Sequence, residues 1–201
     1  MISWGVLMRG KWLAMVLVAV LAGPAGAHGR TVLDPDDSPG PLDVVAARVK
    51  HPEGLVKMRL VTYEEWDNAT ISGDLDFVSF EFDGARPGID RCVVVQLDAT
   101  EGSGPAPVRG TVYKDCNAPT PYSHEVGRVI RVTRPDAHGI EIYVDADVLW
   151  KKPPESFAWR VLTSYEDAGH PGCEPPDPMP PEHFVGTCAD WTSWNTHEAQ
   201  Q

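Results

Sequence analysis

The chain reads as an all-β protein, an antiparallel β-sandwich of jelly-roll type. Three observations predict it. Short stretches alternate apolar and polar residues with a period of two. Gly, Pro and Asp clusters punctuate them at regular intervals. Four cysteines, an even number, all fall after an apolar leader, as a disulfide-bearing secreted domain requires.

The densest information lies in residues 129–165. Ile140, Ile142 and Val144 alternate with Glu141, Tyr143 and Asp145, the pattern of a half-buried strand. Pro135-Asp136-Ala137-His138-Gly139 supplies turn chemistry. Ile130 and Val132 extend the alternation upstream, so the pair predicts a hairpin. Residues 145–150 suffice for one helical turn, capped by Asp145 or Asp147, that lays Leu149 or Trp150 on a sheet. Phe157, Trp159, Val161, Thr163 and Tyr165 then form the most aromatic strand, placed in the core.

In chain order, residues 1–27 read as a secretory signal peptide. Arg9 and Lys11 give the positive end, residues 12–21 (WLAMVLVAVL) the apolar stretch, and Ala25-Gly26-Ala27 the cleavage site. The apolar stretch is short of the roughly 20 residues a membrane span needs. The expected mature chain is residues 28–201, with residues 28–165 as the sandwich and residues 166–201 as an extension packed on it. A net charge of −12 becomes more negative once that leader leaves, which disfavours nucleic acid as a partner.

Residues 28–41 are a polar, Pro-rich lead-in. Asp34, Asp36 and Asp37 gather three carboxylates there, the donor type calcium takes. Pro39 stands where an EF-hand loop needs glycine, so a solvated turn is the plainer reading and calcium the specific one. Val45, Ala47 and Val49, then Val56, Met58 and Leu60, predict a hairpin about Pro52-Glu53-Gly54, with its basic side chains outward. Residues 63–73 read as an irregular link containing the Asn68-Ala69-Thr70 sequon. Val78, Phe80 and Phe82 form an inward strand face, continued by Val93, Val95 and Leu97. A return strand begins near Val108.

The run IEIYVDADVLW followed by SFAWRV, and the opening DPDDSPGPLDVVAARVKH, resemble DOMON-like and family-9-carbohydrate-module-like β-sandwiches. Secreted actinobacterial proteins of the same layout are closer still. The resemblance spans roughly residues 31–165 and implies a sandwich. Family members bind haem, sugars or calcium, but no matching ligand residues are present, so no site is transferred.

Catalytic motifs are absent from the sequence. There is no Gly-x-Ser-x-Gly elbow, Ser103 sits between glycines in a loop, and His124-Glu125 lacks the second histidine of HExxH. His170, His183 and His197 lie in the tail, where solvation is the plainer reading. Met58 could ligate haem iron but sits on an inward strand face. No catalytic residue is assigned. The expected function is a secreted binding module for a glycan, a cell-envelope component or a protein. A hydrolase built from loop carboxylates and histidines, or a purely structural domain, are the alternatives. Candidate binding aromatics are Trp66, Tyr122, Trp191 and Trp194, with packing preferred for the last two.

Two disulfides are expected, Cys92–Cys116 and Cys173–Cys188. If Leu97 lies opposite Val108 in an antiparallel pair, Cys92 falls opposite Tyr113 and Cys116 is just beyond. The second bridge would close the proline-rich run of residues 173–182. The tail shows no period, and its end is expected to fray after about Trp194.

Overall fold

A computed structural model describes residues 29–52, 54–72, 76–84, 91–97, 108–114, 116, 124–151, 154, 156–166 and 187–198. The expected signal peptide, Tyr122, Cys173 and the proline-rich run lie outside the described residues. In chain order the strands are β1 (Thr31–Leu33), β2 (Val44–Lys50), β3 (Leu55–Thr62), β4 (Phe77–Asp83), β5 (Arg91–Leu97) and β6 (Val108–Lys114). They continue as β7 (Glu125–Arg128), β8 (Arg131–Thr133), β9 (Gly139–Asp145), β10 (Ser156–Glu166), β11 (Thr187–Trp191) and β12 (Asn195–Glu198).

They form two antiparallel sheets. One has the order β1-β2-β3-β9-β8; the other runs β11-β10-β4-β5-β6-β7, with β12 also on β10. The core between them follows from the alternation. Val56, Met58 and Leu60 of β3 lie opposite Val144, Ile142 and Ile140 of β9, and all six are fully buried. From the second sheet, Phe80 stacks on Trp159 at 6.4 Å between ring centroids. Phe82 meets Trp150 and Phe157 edge-on at 5.6 and 5.7 Å, geometries that aromatic quadrupoles favour.

The hairpin of β8 and β9 and the aromatic strand β10 form as the alternation predicts, except that Ile130, expected with Val132 on the apolar face, lies before β8 and is exposed. The ladder of β5 and β6 also forms as expected, with Leu97 opposite Val108 and Cys92 opposite Tyr113. Cys116 turns back to bond Cys92, across 6.2 Å between Cα atoms. Cys188 is also disulfide-bonded; its expected partner, Cys173, lies outside the described residues.

Four further details differ from expectation. A bulge in β2 separates the Val44–Thr62 and Ala46–Val61 pairs, so Val44 rather than Val45 turns inward. The helical turn α1 (Ala146–Leu149) starts at Asp145 without a side-chain cap; the N–H of Ala146 donates to Gly54 O instead. Leu149 and Trp150 are both buried against the sheet. The link after β3 holds a 3-10 turn, Asn68–Ile71, capped by Asp67, whose carboxylate accepts from the N–H groups of Ala69 and Thr70.

The fourth difference is the tail. Rather than fraying after Trp194, it supplies β11 and β12, both on the free edge of β10. His197 is buried there with its ring 4.9 Å from Phe157. The outer face of this sheet is covered too, since Phe77, Cys92, Val94, Cys116 and Leu162 form a second apolar cluster with Trp191 against it. That is why β4 is buried on both faces, Glu81 included.

Candidate functional site: an acidic and aromatic edge cleft

The site is built where the two ends of the described chain meet. After β1 the lead-in crosses the edge of the sandwich to reach β2. It is tied to the second sheet at several points. Ser38 Oγ donates to Ala189 O, Tyr165 Oη donates to Pro39 O, and Thr163 Oγ1 donates to Leu42 O at 2.8 Å. The N–H of Val44 donates to Asp190 Oδ2 at 2.7 Å. Gly40 has φ of +106°, and a Cβ there would collide with the Tyr165 hydroxyl. Only glycine lets the lead-in pass that close.

On the other side lies the junction of β11 and β12. Between the Leu162–Trp191 and Trp159–Asn195 pairs, β10 has Arg160 and Val161, while its partner has Thr192, Ser193 and Trp194. The extra residue is a β-bulge, a device that re-aims side chains. Thr192 holds the ladder: its N–H donates to Val161 O, and its Oγ1 accepts from Val161 N–H. Ser193 and Trp194 are pushed out, and Trp194 is 43% exposed.

Between these walls is a cleft of ≈ 790 Å³, with Asp34, Asp37, Arg160, Asp190, Trp191 and Trp194 around it. Arg160 organises its aromatic half. Its Nε donates to the buried Glu81 Oε2 at 2.6 Å. Its guanidinium carbon lies 4.7 Å from the Trp194 ring centroid and 5.5 Å from that of Trp191. Both are cation–π distances. Burial pushes the Glu81 carboxyl up, while Arg160 pulls it back.

The other half is acidic. Carboxylate oxygens of Asp34, Asp37 and Asp190 lie within 4.8 Å of one another. Burial, then the charges of Asp190 and Asp37, push the Asp34 carboxyl up to about 7. Behind it, Asp43 is only 2% exposed, and its Oδ1 has no hydrogen-bond partner. Burial, then the nearby Asp190 and Asp36 carboxylates, push Asp43 up to about 7 as well. Asp190 is raised by burial and partly held down by the Val44 N–H.

Of the residues singled out from sequence, the cleft unites Asp34, Asp37, Trp191 and Trp194. Asp36 belongs beside Asp43 instead. Trp191 packs on the outer cluster as preferred, whereas Trp194 is exposed, not packed. Trp66 is no surface platform. It is 6% exposed, donates from Nε1 to His138 O, and lies under Arg134 at 3.7 Å. Met58 is fully buried core. Sequence reasoning missed Asp43, Asp190 and Arg160. Alternation within Cys188-Ala189-Asp190-Trp191 was the available signal for Asp190 and Trp191 on opposite faces. No protein-family model, no curated protein and no solved structure matches the chain.

Proposed function

We propose that the protein is a secreted, non-catalytic binding module that holds a glycan or a similarly hydroxyl-rich envelope component in the edge cleft. The observation that carries this is the bulge-presented Trp194. Its indole is 43% exposed beside Arg160 and the Asp34, Asp37 and Asp190 carboxylates. A sugar offers an apolar C–H face for an indole and a ring of hydroxyls for charged groups. A cleft with aromatic surface and a few convergent polar groups suits that chemistry. An acidic wall on a chain of net charge −12 disfavours a phosphate backbone. The leader and the disulfides support an oxidising, extracellular setting.

The hydrolase alternative keeps one supporting observation. Asp34, at the cleft, is held near neutrality, the range a general acid uses. One experiment serves both readings. Chain 28–201 is passed over a glycan array and immobilised cell-wall polysaccharide, alongside Trp194→Ala. Retention by the wild type, lost in the variant with Tm nearly unchanged, is the expected result. Equal retention by the variant would remove the cleft from the reading. Release of new reducing ends during incubation would favour the hydrolase.

A further inference from the structure

We propose that the outer face of the first sheet is a second binding surface, on which Arg48, Lys50, Lys57, Arg59 and Arg131 hold a single strand of a carboxylate-bearing glycan. The surface shares no residue with the edge cleft, and the proposal stands whether or not that cleft takes a sugar.

The face follows from strand register. Residues directly opposite one another in an antiparallel ladder point to the same side, and their chain neighbours point to the other. Val49, Met58, Ile142 and Val132 are opposite one another across β2, β3, β9 and β8, and they pack in the core. The flanking residues therefore point out. One outward row is Lys50, Lys57, Tyr143 and Arg131; the other is Arg48, Arg59, Glu141 and Thr133. Five cations thus share one face of a chain whose net charge is −12. With strands ~4.8 Å apart and ~3.4 Å per residue, they form a band about 14 Å long and about 7 Å deep.

The positive charge is only partly answered. Lys57 pairs with Glu141 at 2.9 Å, and Arg59 lies 3.9 Å from Glu141 and 3.7 Å from Asp136. Arg48, Lys50 and Arg131 have no carboxylate partner among the described residues. Nε of Arg48 is buried without a hydrogen-bond partner there. Lys50 is held below the ordinary ammonium range, by burial first and then by the charges of Arg48 and Lys57. Lys57 and Arg131 flank the Tyr143 ring, 5.1 and 4.2 Å from its centroid, distances that fix both cations in place. An anionic chain laid along the band would relieve the crowding of like charges.

The shape of the band selects its occupant. Acids bound it: Asp145, opposite Leu55, lies beyond the Lys57 row, and Asp136 lies beside Arg59. A ligand much broader than the band meets that negative charge, which disfavours a nucleic-acid duplex. Neither row offers an aliphatic side chain to sink into a bilayer. A single glycan strand with carboxylates along it fits the band. The planar guanidinium groups of Arg48, Arg59 and Arg131 present paired N–H donors that match a carboxylate.

The test uses chain 28–201 and polygalacturonate immobilised on a sensor surface, with dextran as the neutral blank. Binding at low salt is expected, absent on dextran and weakening as salt rises, since exposed charges are screened beyond about 10 Å at 0.1 M. The double variant Lys50→Gln, Arg131→Gln should raise Kd about tenfold or more, the scale of two cations lost at an anionic surface. Arg131 is exposed, so Arg131→Gln alone decides the matter, by a severalfold rise in Kd, if the double variant loses its fold. Arg128→Gln, a cation of β7 in the other sheet, and Trp194→Ala in the cleft should both leave Kd unchanged. Absence of binding at low salt would overturn the proposal. So would binding that the loss of Lys50 and Arg131 leaves intact, or binding abolished by Trp194→Ala, which assigns the polymer to the cleft. Tighter binding to duplex DNA or to phosphatidylglycerol vesicles than to polygalacturonate would overturn the choice of a glycan.

Discussion

Asp43 is a buried acid with one carboxylate oxygen that finds no partner among the described residues. It sits at the foot of β2, buried, with carboxylates on two sides and one oxygen lacking a donor. An amide at this position would lose a charge and gain two N–H donors aimed among acceptors. Asp43→Asn should therefore stabilise the protein, by about 1–2 kcal/mol on the scale of a buried group regaining its hydrogen bond. Urea unfolding measures this, and a clear destabilisation would mean that the charge itself is required by the fold. Some of the site could be read at this scale. Asp34 and Asp37 announce themselves as neighbours in an acidic run, and Trp194 as an aromatic outside the strong strand patterns. Asp43 does not, because one acid at the start of an apolar strand looks like a solvated terminus. Trp66 misleads in the opposite direction. Its link is irregular, but its ring still has a large apolar surface to bury and an indole N–H that finds His138 O.

At the scale of elements, the strands that were legible are those whose two faces differ. β3, β9 and the inward side of β10 carry unbroken alternation, so their burial followed directly. The ladder of β5 and β6 was legible to the residue because one pairing, Leu97 with Val108, sets all the others. β11 and β12 were not, because each is short and a bulge between them breaks the period at Thr192–Trp194. One residue is extra there, Trp194 is exposed, and the pattern is lost as a result. β12 is held by His197, buried against Phe157. Burial first, and the charge of His51 second, lower its pKa from 6.5. The unfolded chain then takes up the proton before the folded one does. The stability tied to His197 is complete above about 6.5 and is lost as pH falls below that value. His197→Phe keeps a ring against Phe157 and removes the titration. Its Tm should drop less than that of the wild type between neutral and mildly acidic pH, read by scanning calorimetry. Parallel curves for the two proteins would show that the imidazole stays neutral in both states across the range.

For the whole molecule, the question is whether residues 166–201 are an attachment or a part of the sandwich. Period-two alternation announced two sheets, but it could not announce the order of their strands, which depends on which edges find partners. β10 decides the matter. On one side it pairs with β4 from Ala158 to Ser164, and on the other with β12 and β11 along nearly its whole length. It is therefore an interior strand, and it carries Trp159 and Phe157 into the core. Removing the tail would turn this long, apolar strand into an open edge, the arrangement that invites pairing with other chains. It would also strip Cys188 from the core and His197 from Phe157. Val44 would lose its acceptor on Asp190, loosening the start of β2 in the opposite sheet. A chain ending at Glu166 should thus fail to give a monomer with a cooperative melt, and should instead elute as aggregate in size-exclusion chromatography. A monomeric residue 28–166 fragment that melts in one sharp transition would show the reverse, with the sandwich complete at β10 and the tail an addition to it. The first outcome is favoured because the tail does more than cover the sheet. It supplies Asp190 and Trp194 to the cleft and anchors the lead-in, so both layers depend on it.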